Sequence, residues 1–246
     1  MSLPAMSLLA VNTSSCELWT SSACVPLVEF CDHVKSIAST GLDLLEFGLD
    51  PPAKDLLQKF DRIVSWYGSS RLEFRETVRH LPITFHPAVP QDASTHAVDF
   101  YLTHAGGPHG AIPILKGFAT EPKRNFVACQ PFSGSVSKNW QPENFRQLAQ
   151  SLTLPLEFAV GPEEDWPGAN RFTSLAETAR WLASARVYVG NDSGITHLAA
   201  AVGIPVVAIF RRTDPQVWAP RGTNRVQVLT GTPGVDEVKQ AIMDLI

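Results

Sequence analysis

Two polar loops in the second half of the chain carry side chains suited to holding a phosphate group. The first, residues 190–194, reads GNDSG and stands between an apolar run and a helix-forming run of small residues. The N-terminus of such a helix exposes unpaired backbone N–H groups and carries partial positive charge. Its glycines allow close backbone approach, and Ser193 adds a hydroxyl donor, so the turn favours phosphate binding. An Asp/Ser cap on a close-packed alanine helix explains the same residues without a ligand.

The second loop, residues 131–140, reads PFSGSVSKNW and follows an earlier apolar run. It offers hydroxyls, a glycine and Lys138, whose ammonium group could supply a point charge for a phosphate. Taken alone, a lysine in a flexible loop is as well explained by simple solvation. The prediction therefore depends on whether the fold brings this loop to the 190–194 turn.

Two further groups could complete a nucleotide site. Residues 161–165, GPEED, place carboxylates after another apolar run, where they could accept hydrogen bonds from ribose hydroxyls or cap a helix. His197 lies one helical turn beyond Asp192 and could hydrogen-bond to that carboxylate and orient it. A histidine at such a position is more often structural than catalytic.

The elements that must position these loops alternate between strand and helix, which predicts an α/β fold with parallel sheets. In the first half we predict strands near residues 16–20, 34–37, 62–66 and 83–85, and helices near 4–11, 52–60, 70–81 and 95–104. In the second half we predict strands near residues 126–129, 156–160, 187–189, 206–210 and 226–229, and helices near 142–152, 175–185, 195–202 and 235–245. Because parallel strands end at one edge of a sheet, the three polar loops should share that edge.

A Gly/Pro-rich stretch at residues 106–123 has the composition of a linker. We therefore predict two domains, residues 1–112 and 113–246. Two such domains facing a cleft would offer the usual place for a ligand.

Composition excludes several classes of protein. The 246 residues are 44% hydrophobic and carry a formal charge of −4, which argues against binding nucleic acid through a general basic surface. No apolar run is long enough to span a bilayer, although attachment at a membrane surface stays open. The start shows no signal-peptide pattern. The four cysteines lack C-x-x-C spacing, so we expect free thiols in a reducing cytoplasm and neither a disulfide framework nor a zinc site.

Two runs of the second half resemble the heptosyltransferase family (glycosyltransferase family 9): SGSVSKNWQPENFRQLAQSL, and GNDSGITHLAAAVGIPVVAIF followed by DPQVWAP. The resemblance covers this half and, more faintly, the first. It implies a GT-B architecture of two Rossmann-like domains and metal-independent, inverting transfer of heptose from an ADP-sugar to lipopolysaccharide core.

By this resemblance each polar loop has a role in donor binding. The residues implied at the diphosphate are Ser133, Gly134, Ser135, Lys138, Ser193 and Gly194. Glu163 or Glu164 would hold the ribose, and Asp192 and His197 would shape the phosphate loop. Where the family usually has glycine after the phenylalanine that matches Phe210, this chain has Arg211, a long cation that could alter the donor pocket.

The larger departure from the family is at the front. The family opens with a strand and a Gly-Asp turn that carries the proposed general base, whereas this chain begins with Met1-Ser2-Leu3-Pro4-Ala5, which looks like the following helix. We predict that a strand and its loop, roughly fifteen residues, are missing. Loss of this central strand would leave its neighbours unpaired. The catalytic residue is thus unknown; candidate substitutes, not distinguished by spacing, are Asp32, Asp43, Asp50 and Asp61.

The leading hypothesis is an inverting glycosyltransferase with an ADP-sugar donor, a glycan or lipid-linked acceptor, no cofactor and no metal. It would be cytoplasmic, with association at the inner membrane face left open. One alternative is a nucleotide-sugar-binding protein of the same fold with impaired catalysis, favoured by the missing Gly-Asp turn. Another is a sugar-nucleotide epimerase, which would convert the donor without an acceptor.

Overall fold

A computed structural model describes residues 1–11, 13–47, 49, 52–91, 94–118 and 123–246, apart from the side chain of residue 52. The chain divides into two compact units, Ser7–Asp92 and a second unit formed by Met1–Met6 with Ala93–Ile246. Each contains parallel strands alternating with helices, which confirms the predicted α/β class.

The second unit is built on a five-stranded parallel sheet in the order β6-β5-β7-β8-β9. Its strands are β5 (Val127–Gln130), β6 (Leu156–Phe158), β7 (Val187–Asn191), β8 (Val206–Phe210) and β9 (Val226–Thr230). Its helices are α4 (Ala97–His104), α5 (Pro142–Ser151), α6 (Leu175–Ser184), α7 (Gly194–Ala201), α8 (Pro215–Trp218) and α9 (Val235–Met243). The predicted elements of this half are thus found, and the short helix α8 is an addition.

The centre of this sheet is fully buried, as its sequence requires. Every residue of β7 (VYVGN) and β8 (VVAIF) is buried. Continuous apolar runs of this kind are typical of parallel strands covered by helices on both faces. Helices α5 and α9 contribute Phe145, Leu148, Val238 and Ile242 to the same core as strands β5, β7 and β8.

The strand order creates a switch point between β5 and β7. From β5 the chain moves outward to β6, and from β7 it moves in the opposite direction to β8 and β9. In open parallel sheets, ligands bind outside the carboxyl ends of the strands at such a point. The loops that follow β5 and β7 are the two phosphate-binding candidates of the sequence.

The second unit begins earlier in the chain than the predicted boundary between residues 112 and 113. His96 Nε2 lies 2.9 Å from the carbonyl oxygen of Ala219, and Arg221 donates two hydrogen bonds of 2.8 and 2.6 Å to the carboxylate of Asp99. Leu115 N also donates to the carbonyl oxygen of Ala201 at 2.8 Å. These contacts hold α4 and much of the Gly/Pro-rich stretch on the second unit; residues 119–122 of that stretch lie outside the described part of the chain.

The first unit has two separate pairs of parallel strands. In one pair β1 (Glu17–Thr20) lies beside β2 (His33–Ser36), and in the other β3 (Ile63–Ser65) lies beside β4 (Ile83–Phe85). The helices of this unit are α2 (Pro52–Leu57) and α3 (Leu72–Thr77), and α1 (Leu3–Val11) crosses the boundary between Met6 and Ser7. Residues of both strand pairs pack against one core whose buried members are Leu42, Leu45, Ala53, Leu57, Phe74 and Val78.

Each strand of the first unit has a single partner within the described residues. This is the arrangement expected if the neighbours of a central strand lack that strand. The missing strand itself stays a prediction, because an unpaired edge does not identify the segment that would cover it.

Two predictions for the first unit are wrong in detail. Cys16 and Cys31 form a disulfide with 5.0 Å between their Cα atoms, whereas four free thiols were expected; Cys24 and Cys129 are free. The parallel register that pairs Glu17 with His33 brings the two cysteines together at the start of the strands. Helix α3 is shorter than predicted, since the hydrogen bond from Leu81 N to the carbonyl oxygen of Val78 closes a three-residue turn beyond it.

Candidate functional site

Lys138 lies on a short 3₁₀ turn, Val136–Lys138, in the loop between β5 and α5. Serine hydroxyls shape this loop from within. Ser133 donates to the side-chain oxygen of Asn139 at 2.7 Å, and the hydroxyls of Ser135 and Ser137 lie 2.9 Å apart. The predicted donor residues of this loop therefore form a compact polar turn, and its tip is exposed.

An ion pair joins this loop to the turn after β7. Lys138 Nζ donates to Asp192 Oδ2 at 2.7 Å, and the hydroxyl of Thr213 donates to the same oxygen at 2.5 Å. Asp192 is 7% exposed, so both partners act on a carboxylate that is largely removed from water. The pair brings together at the switch point two loops that are more than fifty residues apart in the chain.

Asn191, at the end of β7, holds both ends of the Lys138 loop through the backbone of that loop. Its side-chain oxygen accepts from Trp140 N at 2.7 Å, and its Nδ2 donates to the carbonyl oxygen of Pro131 at 2.8 Å. The side chain is fully buried, so loss of either bond would leave a buried polar group unpaired. Sequence reasoning placed Asn191 in the turn without assigning it this role; the available signal was an amide at the end of an otherwise apolar strand.

Helix α7 begins directly after Asp192, with Ser193 as its cap. The Ser193 hydroxyl accepts from Thr196 N at 3.4 Å, as the simple capping interpretation predicts. A Cβ atom at Gly194 would meet nothing within 4 Å, and the same holds at Gly134. At Gly190, by contrast, it would collide with the Tyr188 hydroxyl. The protein's own packing thus explains the glycine at 190 and leaves room above the other two.

His197 does not make the suggested hydrogen bond to Asp192. Within the described residues, the carboxylate is held by Lys138 and Thr213 instead. Burial lowers the pKa of His197 to about 4, so its ring is neutral at pH 7 and adds no positive charge to the site.

The two carboxylates proposed for the ribose differ in their surroundings. Glu164 Oε2 accepts from Gly161 N at 2.7 Å and from Gln130 Nε2 at 3.3 Å, at the carboxyl ends of β6 and β5. Glu163 is exposed. Glu164 is therefore the carboxylate fixed at the same sheet edge as Lys138, while part of its hydrogen-bonding capacity is used within its own turn.

Of the described residues, no three His, Cys, Asp or Glu side chains are grouped closely enough to hold a metal ion. No described helix is long and apolar enough to cross a membrane.

The fold and the site together define a Rossmann-type α/β protein whose polar site lies at the switch point of a parallel sheet. The family described as "Glycosyltransferase family 9 (heptosyltransferase)" matches residues 172–245. Lipopolysaccharide heptosyltransferase 3 of Escherichia coli is 27% identical over 127 residues, which is 44% of this chain and 37% of that protein. Lipopolysaccharide heptosyltransferase 1 of Pseudomonas aeruginosa is 31% identical over 117 residues, 40% of this chain and 32% of that protein.

These matches confirm the resemblance of the second half to the heptosyltransferase family, glycosyltransferase family 9, that is seen in the sequence. The matched segment spans about a third of the length of these curated relatives.

Solved structures extend the likeness in fold to the whole chain. E. coli heptosyltransferase WaaC with ADP superposes with a TM-score of 0.70 at 16% identity, covering 100% of this chain and 97% of that one. E. coli ADP-heptose lps heptosyltransferase II gives 0.73 at 14% identity, covering 99% and 93%. At such identities the likeness confirms the GT-B fold class, and the donor-binding roles of individual residues stay predictions.

Proposed function

We propose that the chain acts as an inverting, metal-independent glycosyltransferase that uses an ADP-sugar, heptose or a similar sugar, as donor. The acceptor is a glycan of the lipopolysaccharide-core type or another lipid-linked glycan. The observation that carries the proposal is the Lys138–Asp192 ion pair, which joins the loops after β5 and β7 at the switch point of the sheet.

The charges around this ion pair suit a diphosphate. Lys138 is partly exposed, and it can turn its remaining N–H donors toward an anion while Asp192 and Thr213 fix its position. The N-terminus of α7 adds backbone donors beside the open space above Gly194. Phosphate contacts of this charge-assisted kind contribute roughly 1.5–3 kcal/mol each, so two or three would support micromolar affinity.

The nucleoside assignment has separate support. Glu164 lies at the edge shared with Lys138 and could accept from ribose hydroxyls. The presence of ADP in a structure of the same fold favours adenine as the base.

In the proposed reaction an acceptor hydroxyl attacks the anomeric carbon from the face opposite the leaving group. The new C–O bond forms as the bond to the diphosphate breaks, and ADP leaves with the bonding electrons. The acceptor proton passes to a general base that is unknown in this chain. Asp32 accepts from Cys16 N at 2.7 Å, Asp43 lies in the first turn of a 3₁₀ segment, and Asp50 lies outside the described residues.

A second candidate is a nucleotide-sugar-binding protein with impaired catalysis. The observation that favours it is the pairing of strands in the first unit, where each described strand has one partner. Such a protein would bind the donor through the complete second unit and transfer no sugar. In either case we place the protein in the cytoplasm, without a cofactor or nucleic acid, and leave association with the inner membrane face open.

The test is a calorimetric titration with ADP and, separately, UDP. We expect micromolar ADP binding and weaker UDP binding in the wild type, with Lys138→Ala lowering ADP affinity by about ten- to a hundredfold, the loss of one charge-assisted contact. Lys116→Ala, which removes an exposed lysine of the same unit, is the matched control. Failure of the wild type to bind either nucleotide would refute the donor site; binding without transfer to any glycan acceptor would favour the second candidate.

A further inference from the structure

Arg211 directly follows β8, and β7 separates β8 from β5, the strand that leads into the Lys138 loop. Its Nη1 donates to the carbonyl oxygen of Asn139 at 2.5 Å and lies 3.5 Å from that of Ser137. These two carbonyl groups flank Lys138 in the chain. A single guanidinium group thus holds the backbone on both sides of the lysine.

One guanidinium nitrogen, Nη1, makes both contacts. Arginine stays protonated at neutral pH, so this donor is always available. The Nε of Arg211 is also buried, and it has no hydrogen-bond partner within the described residues. The neighbouring Arg212 is exposed.

The turn that Arg211 holds has little other support on its outer side. Residues 134–137 are exposed, and the side chain of Val136 is 86% exposed, so this tip buries little apolar surface. Backbone hydrogen bonds within the turn run from Lys138 N to Ser135 O at 3.0 Å and from Asn139 N to Val136 O at 3.1 Å. Local segments with so few buried contacts open readily. A hydrogen bond from outside the segment, such as that of Arg211, then determines how often the turn is closed.

We propose that Arg211 is a positioning residue that holds the 136–138 turn closed, so that Lys138 is oriented toward the donor diphosphate before the donor binds. The proposal rests on the proposed function, because the role given to Arg211 is to prepare donor binding. The clamp, meaning the contacts of Arg211 with the carbonyl groups of Ser137 and Asn139, is present without a donor. Ordering the loop in advance removes an entropic penalty from binding. Arg211 acts through Lys138, and its effect on affinity should vanish when the lysine is absent.

The first arm of the test needs no nucleotide. Amide hydrogen exchange is measured on the free protein for Lys138 and Asn139, in the wild type, Arg211→Ala and the matched control Arg212→Ala. We expect at least tenfold faster exchange at both amides in Arg211→Ala and no change in Arg212→Ala. Unchanged exchange in Arg211→Ala would overturn the proposal, and circular dichroism shows whether each variant is folded.

The second arm is a double-mutant cycle with ADP affinity as the readout. Arg211→Ala should weaken ADP binding about tenfold in the presence of Lys138 and have little effect in Lys138→Ala, because the two residues act as one unit. Equal losses in both backgrounds would overturn positioning through Lys138. If the wild type binds no ADP, the proposed function fails, and the exchange arm still decides whether the clamp exists.

Discussion

The two compact units are built from the same kind of βα segments, yet they differ in how well their strands are covered. In the second unit β5, β7 and β8 each pair on both sides, and every residue of β7 and β8 is buried. In the first unit all four described strands are edge strands, and none of their residues is fully buried. Isolated two-stranded pairs are marginally stable in water, and open edges can pair with other chains.

The rigidity of the site in the second unit comes from buried polar contacts at the ends of its strands. In the second unit one buried amide at the end of β7, Asn191, holds both ends of the Lys138 loop. An ion pair then joins that loop to the turn after β7. The first unit holds its strand pairs through a shared apolar core and a disulfide between Cys16 and Cys31. Precise polar geometry is therefore expected in the second unit and greater freedom in the first.

Adding an N-terminal segment of roughly fifteen residues, designed as a strand and its loop, should have the largest effect on this difference. If these residues form a strand that pairs with the first unit and ends in a Gly-Asp turn, backbone amides of β1 and β3 should gain protection from hydrogen exchange. Sugar transfer should rise by about 10²–10⁴, the usual contribution of a general base. The matched control changes the new aspartate to asparagine, which should keep the protection and lose the rate. Unchanged protection of β1 and β3 would contradict the prediction.

A pair of core substitutions tests whether the two units are energetically separate. Phe74→Ala in the first unit and Phe145→Ala in the second each remove a ring that is at most 1% exposed and should lower the free energy of unfolding by about 3–5 kcal/mol. Phe74→Ala should leave ADP affinity unchanged. Phe145→Ala should weaken ADP binding, because its ring packs edge-to-face on Trp140 at 4.9 Å, at the end of the Lys138 loop.

The measurements are urea unfolding followed by segment-resolved hydrogen exchange, and an ADP titration of each variant. Equal loss of ADP binding in both variants would show that the second unit depends on the first. The two units would then not be energetically separate.

The same contrast explains what the sequence could predict. Apolar runs such as VVAIF at β8 and the Gly-Asn-Asp-Ser-Gly turn are local signals, so strand positions and the Lys138 and Asp192 loops were found from them. The partners of Asp192 were not, because Thr213 reaches it from a loop that no spacing rule connects to residue 192. Likewise, the disulfide depends on strand register, which pairs residues that are distant in sequence.

Mild acid should weaken the second unit through two half-buried histidines, His96 and His197. Burial lowers the pKa of His197 to about 4 and also lowers that of His96, whereas an unfolded histidine titrates near 6.5. The unfolded state therefore takes up protons first as the pH falls below 6.5. The free energy of unfolding therefore falls as the pH drops from 6.5 toward 4. For His197 alone the loss is up to about 1.4 kcal/mol per pH unit and about 3 kcal/mol by pH 4.

Urea unfolding between pH 7 and 4, followed in segments of the second unit, measures this loss. His197→Asn should flatten the dependence by removing its largest source, and the remaining slope belongs to His96 and to carboxylates. Asp99 is a useful internal reference, because hydrogen bonds from Arg221 lower its pKa to about 2, so its contribution is lost only at much lower pH. A slope unchanged by His197→Asn would contradict the assignment.

The smallest expected effect on stability belongs to Gly194, and it separates a ligand site from ordinary helix capping. Gly194 is the first residue of α7, has no positive φ, and faces open space where a Cβ would stand. Alanine forms helices better than glycine by up to about 1 kcal/mol, so Gly194→Ala should leave the unfolding free energy unchanged or slightly raised. Its methyl group would nevertheless project to where a phosphate must approach the helix N-terminus, and ADP affinity should fall about tenfold.

Gly190→Ala is the contrasting variant, because its methyl group would collide with the buried Tyr188 hydroxyl and lower stability directly. Calorimetric ADP titration and thermal unfolding of the two variants should therefore give opposite patterns, with affinity lost at Gly194 and stability lost at Gly190. Unchanged ADP affinity in Gly194→Ala would mean that Ser193 and the α7 N-terminus only cap a helix. The diphosphate would then be held by the Lys138 loop alone. The rigidity of the 190–194 turn would serve packing and not binding.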